Sequence, residues 1–426
     1  MKRPWDGREL HFVGVGGAGM SAYARAAHAL GARVSGSDQA DSAFARALSE
    51  DGVLETRIGH AAANVPPGAD VVLSAAVGAQ NPERGVALER GRLVLSRAQI
   101  LGELTALRRT IAVAGAHGKT TTSSMIVSAL RGGGIEPSYL IGGTPRPGER
   151  NAAWSDGPWL VVEADESDRS MLSLEVEIAV LTSVELDHHS EFGSLLELER
   201  VYAQFLARAP QAVICDRSEL LALRSASAAT VPYAREPDLR LAVPGEHNQL
   251  NAAAALAVSR LVGAEIDGAR IALERFEGAG RRFELLGRTA AGAAVYNDYA
   301  HHPTEIGATL AAARELGPDR LIAVFQPHLY SRTRELAREF GLALAAADLV
   351  AVLDVYPARE RAADHPGVSG LTIAAAAADA AAGREVLWLP SFALARRVLE
   401  PLLRSGDVVV AMGAGHIDAF GWSLVR

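Results

Sequence analysis

A chain of 426 residues with 49% hydrophobic side chains is too long for one core and too apolar to stay disordered, so two or three domains are expected. Its net charge of -8 leaves no basic footprint for a nucleic-acid partner, and the absence of any run of about 18 apolar residues argues against membrane insertion. The one cysteine, Cys215, excludes an internal disulfide and reads as buried filler, and with no apolar signal segment after the first residues a cytoplasmic location is expected.

The first unit opens with Leu10-His-Phe-Val-Gly-Val-Gly-Gly-Ala-Gly-Met20. A short apolar strand enters a glycine turn, and an alanine-rich helix runs to Leu30 before Gly31 ends it. A second strand over 32–36 ends near Asp38. This is a Rossmann-like beginning, whose glycines let the backbone approach a phosphate or the helix closely. Taken alone, the glycines indicate a nucleotide-like ligand and do not single out a dinucleotide. Further strands are expected at 70–75 and 93–96, which closes a first domain over 1–98.

A second domain, expected over 99–279, begins with the strand Thr110-Ile-Ala-Val-Ala114 and the turn Gly115-Ala-His-Gly-Lys-Thr-Thr-Thr122, followed by a helical run over 121–130. Lys119 is one of only two lysines among 42 basic residues. Arginine is used wherever a charge merely faces water, so a lysine inside a glycine-rich turn has a different task. Loop amides and a helix N-terminus hold phosphate oxygens, and a compact ammonium reaches the β and γ phosphates. The first glycine of the usual pattern is missing, with Val113 near its place, and a tight helix cap could carry the same short motif. The strand Trp159-Leu-Val-Val-Glu-Ala-Asp165 leads into the acidic run Glu163-Ala-Asp-Glu-Ser-Asp168, which could otherwise be a solvated loop. A strand over 178–183 precedes Glu185-Leu-Asp-His-His189. Gly245-Glu-His-Asn-Gln-Leu-Asn251 opens a helix on which His247, Asn248 and Asn251 can share a face, although an Asn there could simply cap.

The third domain, expected over 280–426, follows Gly278-Ala-Gly-Arg-Arg-Phe283. Its strands are expected at 294–297, 320–325, 349–355, 385–389 and 407–412. The alternation of strand and helix predicts a mostly parallel α/β arrangement. Six polar pairs fall at the downstream ends of predicted strands: His117/Lys119, Glu163/Asp165, Asp187/His188, Asn297/Asp298, Gln326/His328 and Asp354/Tyr356. Open α/β sheets bind ligands beyond those ends, so the pairs predict a shared active-site surface. Lys119 can neutralise a transferred phosphoryl group, Thr120 or Thr121 can place a hydroxyl on magnesium, and Glu163 and His188 can complete the cation site.

Together these segments resemble the UDP-N-acetylmuramate–L-alanine ligase family over approximately residues 10–420. The resemblance is carried by the segments 11–21, Gly36-Ser-Asp38, 112–122, 163–168, Glu185-Leu-Asp-His188 and His247-Asn-Gln-Leu-Asn251. It continues through Gly280-Arg-Arg-Phe283, Asp298-Tyr-Ala-His-His-Pro-Thr-Glu305, Phe325-Gln-Pro-His328, Ser331-Arg-Thr333 and Asp354-Val-Tyr-Pro-Ala-Arg359. It implies a three-domain α/β ligase with an N-terminal Rossmann-like domain, a central P-loop ATPase-like domain and a C-terminal Rossmann-like domain. The implied substrates are ATP, UDP-N-acetylmuramate and L-alanine, with Mg2+ as cofactor, in peptidoglycan precursor synthesis. The sugar's carboxylate would attack the ATP γ-phosphate to give ADP and an acyl phosphate, which the alanine amine then attacks.

By position in the family motifs, Gly14, Gly16, Gly17, Ala18, Gly19, Met20 and Ser37 would receive the UDP portion. Gly115, Ala116, His117, Gly118, Lys119, Thr120 and Thr121 would hold the ATP phosphates. His247, Asn248 and Asn251 would recognise adenine and organise ATP, and Arg282 would help hold phosphate. Glu163 and His188, with Thr120 or Thr121, would bind magnesium. His301, His328 and Arg332 would meet the reacting carboxylate and the amino acid, so Lys119, His188, His301, His328 and Arg332 form the expected catalytic set. Related ligases often use a carbamylated lysine; no lysine follows Lys119, which fits the alanine-adding branch. Ala116, Ser190, Asn297 and Leu329 depart from the family pattern. A ligase that recycles a preformed peptide onto the same UDP-sugar, and a nucleotide-binding regulator with a degenerate site, are the alternatives.

Overall fold

Three successive sheets organise the computed structural model, which describes residues 3–146, 148–186, 192–226 and 228–425. The first contains β1 (Glu9–Val13), β2 (Arg33–Asp38), β3 (Thr56–Ile58), β4 (Asp70–Leu73) and β5 (Val94–Ser96), all parallel in the order β3-β2-β1-β4-β5. The second contains β6 (Arg109–Ala114), β7 (Ser138–Leu140), β8 (Ala152–Ala153), β9 (Trp159–Glu163), β10 (Ile178–Leu181), β11 (Gln211–Cys215) and β12 (Ala229–Tyr233). Its order is β12-β11-β10-β6-β9-β7-β8, and the edge strand β8 is antiparallel. The third contains β13 (Glu284–Arg288), β14 (Ala294–Asp298), β15 (Arg320–Phe325), β16 (Leu349–Val352), β17 (Glu385–Trp388) and β18 (Asp407–Met412). Its order is β13-β14-β18-β15-β16-β17, with β13 the antiparallel edge.

The central strands are continuous apolar runs because both faces are covered, as a parallel sheet requires. Ile111 to Ala114 and Ile322 to Phe325 are entirely buried. Several expected strands stop two or three residues early, since their last residues turn into locally bonded loops. Asp165 accepts the Ser167 amide at 3.0 Å instead of continuing β9, and Asp354 accepts the Gly370 amide at 2.8 Å beyond β16. Cys215 is buried at the end of β11, as filler should be.

Residues 1–240 with 250–276 form one compact unit, and 241–249 with 277–426 form another. The first unit therefore contains two sheets. Asn151, buried beside β8, donates to the Ala18 carbonyl at 2.6 Å and the Ser21 hydroxyl at 2.9 Å on the helix Ala18–Ala29. The helix Arg97–Thr105, started by a Ser96/Gln99 capping box, runs so close to Ser173 that a Cβ on Gly102 would lie 2.9 Å from its carbonyl oxygen.

A polar knot lies inside the first sheet's packing. Glu83 is fully buried and accepts from the Ser37 hydroxyl at 2.6 Å and the Asn64 amide at 2.6 Å, with His60 at 3.3 Å and His11 at 3.7 Å. Burial pushes the Glu83 carboxyl up, but His11, Ser37 and Asn64 together override it and hold it at about 2. A carboxyl depressed in the folded state stabilises above its unfolded value, and that contribution is lost as pH falls towards the folded value. Glu83→Gln is expected to cost about 3 kcal/mol near neutral pH. Urea unfolding should show the gap to wild type narrowing as pH is lowered from 5 to 3, and equal stability at pH 7 would refute the role.

Candidate active site

The phosphate-loop turn follows β6 and feeds the helix Lys119–Gly132. Gly118 has φ +83°, and a Cβ there would sit 2.9 Å from the Asn251 side-chain oxygen. Gly115 has φ +138°, and its Cβ would collide with the Thr182 hydroxyl. Both positions therefore require glycine. The loop is braced from below, because the Ala116 amide donates to the Ser183 carbonyl at 3.2 Å and the His117 amide to the Ser183 hydroxyl at 3.0 Å. These two amides are therefore engaged with Ser183 in this structure. The helix's first turn, from Lys119 to Thr121, carries amides that no preceding helical carbonyl can satisfy, which makes it the anion-facing part. His117 pairs instead with Glu185 at 2.9 Å.

Lys119 is held by four acceptor atoms. Its ammonium donates to the Gly115 carbonyl at 2.6 Å, the Ala116 carbonyl at 3.4 Å and both Glu166 oxygens at 3.1 and 3.0 Å. Burial lowers the affinity of this amine for its proton, but Glu166, Asp165 and Glu163 override that and raise it. Lys119 thus stays charged. Glu166, buried at 1% exposure, was not singled out in the sequence, although it lies in the acidic run; only the turn after β9 decides that it, and not Glu163, faces the ammonium. Glu163 instead accepts the Gly142 amide at 2.6 Å.

A hard divalent cation requires oxygen donors. The Glu163 carboxylate and the Thr120 and Thr121 hydroxyls belong to the segments that meet at the ends of adjacent strands β6 and β9. The carboxylates around Lys119 supply the excess negative charge that such an ion would offset, so the donor set fits magnesium. His188 and the Asp187/His188 pair lie outside the described residues. Asn251 reaches the loop from the helix Glu246–Val262, accepting the Thr122 hydroxyl at 3.0 Å. Asn248 donates to the Pro244 carbonyl at 2.6 Å. His247, in the other unit, has its pKa lowered by burial, against the opposing charge of Glu315 and with help from Arg282.

In the first sheet the glycine turn is bonded largely to itself and to β2. The Gly14 amide donates to the Ser37 carbonyl at 2.8 Å, Gly16 to the Asp38 carboxylate at 2.8 Å, and Gly17 to the Gly14 carbonyl at 3.3 Å. Gly14, Gly16 and Gly17 thus shape the turn, and the first helical turn of Ala18, Gly19 and Met20 is left as its anion-facing part. Ser37 is fully buried with its hydroxyl on Glu83, so its side chain supports the turn from within the sheet's packing.

The third sheet gathers Asp298, His328, Tyr356 and the Gly413–His416 turn at the downstream ends of neighbouring strands β14, β15, β16 and β18. His301 and His328 meet edge to face at 5.9 Å between centroids, His328 stacks on Tyr356 at 5.9 Å, and Tyr356 meets His416 at 4.9 Å. His416 gave no signal in the sequence, since only the adjacency of β18 and β15 brings it here. His301 is oriented by the Tyr299 carbonyl at 3.0 Å and Glu305 at 3.2 Å. Arg282 lies over the Tyr299 ring and 3.6 Å from Glu305, and Arg332 is buried. Arg281 and Phe283, on either side of Arg282, have φ of +59° and +51°, a strained turn of the kind retained at functional sites. Asp298 fastens it, accepting the Phe283 and Ala300 amides at 2.8 and 2.7 Å.

Two outcomes are expected. Lys119→Ala leaves Glu166 buried without its ammonium and should destabilise the fold by ~3 kcal/mol. Lys119→Ala/Glu166→Gln should restore the melting temperature while turnover stays roughly a hundredfold down; recovered turnover would show that the lysine serves only the fold. His328 is pushed down to about 3, first by burial and then by His301, Arg332 and Arg359, so it is neutral throughout the working pH range. His328→Gln should lower turnover without moving the acid limb of the pH–rate profile, and a displaced limb would show that His328 titrates there.

Comparison with known proteins agrees with this arrangement. Residues 9–109 match the Mur ligase family, catalytic domain, and residues 281–415 match the Mur ligase, glutamate ligase domain. The UDP-N-acetylmuramate–L-alanine ligase of Mycolicibacterium smegmatis is 40% identical, covering 99% of this chain and 95% of that protein. The corresponding ligase of Acidithiobacillus ferrooxidans is 40% identical over 96% of each chain. The crystal structure of the Thermotoga maritima UDP-N-acetylmuramate–alanine ligase superposes with a TM-score of 0.83 at 26% identity, covering 98% of both chains. A murein peptide ligase from Psychrobacter arcticus shares the fold, with a TM-score of 0.73 at 24% identity over 98% of both chains. With a relative 40% identical over 99% of its length, the chain belongs to the UDP-N-acetylmuramate–L-alanine ligase family within the Mur ligases.

Proposed function

We propose that this chain joins L-alanine to UDP-N-acetylmuramate with hydrolysis of ATP to ADP and phosphate, giving UDP-N-acetylmuramoyl-L-alanine for peptidoglycan synthesis. The observation that carries the reading is the charged, Glu166-paired Lys119 at the head of the phosphate-loop helix, in a chain 40% identical to alanine-adding ligases over almost its whole length. We assign the three domains to 1–98, 99–279 and 280–426, each enclosing one of the three sheets. The first turn of the helix Ala18–Ala29 receives the UDP pyrophosphate, and the turn around Lys119 receives ATP. No helix among the described residues is long and apolar enough to cross a membrane, and a cytoplasmic location suits a reaction between ATP, a UDP-sugar and a free amino acid.

A carboxylate resists attack by an amine because it offers no competent leaving group. Phosphorylation by the ATP γ-phosphate converts it into an acyl phosphate, and the alanine amine then displaces inorganic phosphate. Lys119 neutralises charge as the phosphoryl group moves, and the helix amides fix its oxygens. Glu163, with Thr120 or Thr121 and His188, would hold magnesium. When bound, that ion neutralises phosphate oxygens and orients them for in-line transfer. Arg332 and Arg282 supply positive charge for carboxylate or phosphate, while neutral His328 and the Glu305-oriented His301 line the acyl end.

The deciding experiment incubates the protein with UDP-N-acetylmuramate, ATP and magnesium, together with a panel of amino acids and the L-alanyl-γ-D-glutamyl-diaminopimelate tripeptide. Mass analysis should find the L-alanine adduct with stoichiometric ADP. A tripeptide adduct in its place would make the chain a recycling ligase, and ligation of neither would make it a nucleotide-binding regulator.

A further inference from the structure

The acidic turn after β9 faces two cations, and the reaction as described uses only one. Glu163, Asp165, Glu166 and Asp168 sit within six residues. Lys119 takes Glu166. Arg97, from the first turn of the helix Arg97–Thr105, takes Asp165 at 3.2 Å and Asp168 at 3.4 Å, and its Nε donates to the Tyr23 hydroxyl at 3.3 Å. The same guanidinium lies 3.8 Å from where a Cβ on Gly19 would be, beside the glycine-turn helix. Asp165 is the shared member. It directly precedes Glu166, which holds Lys119, while its own carboxylate lies on Arg97.

We propose that Arg97 is a positioning residue for ATP: by holding Asp165 and Asp168 it keeps them from claiming the Lys119 ammonium, which remains exchangeable for phosphate. The inference rests on the reading that ATP phosphates meet Lys119. Lys119 must give up part of its contact with Glu166 when a phosphate arrives. A second, half-buried carboxylate without a cation of its own would compete for the same ammonium, and each ion pair formed there would have to be broken for nucleotide to bind. Arg97 removes that competitor. It comes from the helix that follows the UDP-binding sheet, so the nucleotide affinity of the second sheet depends on a residue at the edge of the first.

The test measures the affinity of a non-hydrolysable ATP analogue with magnesium, by calorimetry on the full chain, for wild type, Arg97→Gln, Arg97→Lys, Asp165→Asn and Arg97→Gln/Asp165→Asn. Arg97→Gln should weaken the analogue about tenfold, Arg97→Lys less, and the double variant should return to within about threefold of wild type. Wild-type affinity in Arg97→Gln, or a double variant no tighter than Arg97→Gln alone, overturns the proposal. A merely structural strut would not be rescued by neutralising Asp165. Should Arg97→Gln alone fail to fold, the comparison runs in the Asp165→Asn background, where adding Arg97→Gln should be nearly silent and a further tenfold loss overturns the proposal. Lys119→Ala/Glu166→Gln is the control: wild-type analogue affinity in that variant would refute the assignment of ATP to this loop, a failure distinct from that of Arg97.

Discussion

A half-buried ammonium still needs a partner, and much of the first unit is arranged around that requirement for Lys119. An isolated charge at this depth would either lose its proton or cost several kcal/mol. Glu166 supplies the counter-charge, and the Gly115 carbonyl and the turn itself complete the acceptor set. The pairing fixes where the segment after β9 must run. That path in turn leaves Asp165 and Asp168 on the far side of the turn, against Arg97. One electrostatic constraint thus ties the phosphate loop to the acidic turn and the acidic turn to the helix that follows the first sheet.

The third sheet solves a different problem with neutral groups. His328 is half-buried between an imidazole and a phenol ring, with Arg332 and Arg359 near enough to repel a proton, so it is kept uncharged. Leu329 next to it has φ +68°, and its amide is tied to the Tyr356 carbonyl at 3.0 Å. The following short helix carries Arg332, and Glu360 takes the Ser331 amide at 3.0 Å from the neighbouring loop. The loops after β15 and β16 are stitched together in this way, which holds the histidine and arginine in fixed positions.

The departures from the family pattern become physically legible in this setting. Ala116 contributes an amide to Ser183, for which no particular side chain is needed. Asn297 is buried directly before Asp298, whose carboxyl is already pushed up to about 6 by burial, against the opposing charge of Arg282. An acid at 297 would place a second carboxylate in the same low-dielectric region, and asparagine avoids that cost. Leu329 is buried at 8% exposure, so its apolar side chain suits the place it occupies. Ser190 lies outside the described residues.

The sequence by itself determined the central strands of each sheet and the two glycine-rich turns, because these rest on local periodicity and on backbone conformations only glycine adopts; the outer strands β3, β7, β8, β11, β12 and β13 were not legible in it. It also marked Lys119, since a lysine in an arginine-rich chain is conspicuous wherever it stands. It could not say which of four acidic residues pairs with that lysine, because the answer depends on how the chain reverses after β9. Nor could it say that the Ser37 hydroxyl and the Ala116 and His117 amides are bonded within the protein, since their partners Glu83 and Ser183 lie 46 to 67 residues away. His416 and Arg97 entered only with tertiary structure. The first is brought to His328's neighbourhood by the pairing of β18 with β15, and the second is set against Asp165 by the packing of the first sheet's last helix on the second. Residues distant in the chain acquire a shared electrostatic environment only when the sheets place them together, and burial then sets how strongly they act on one another.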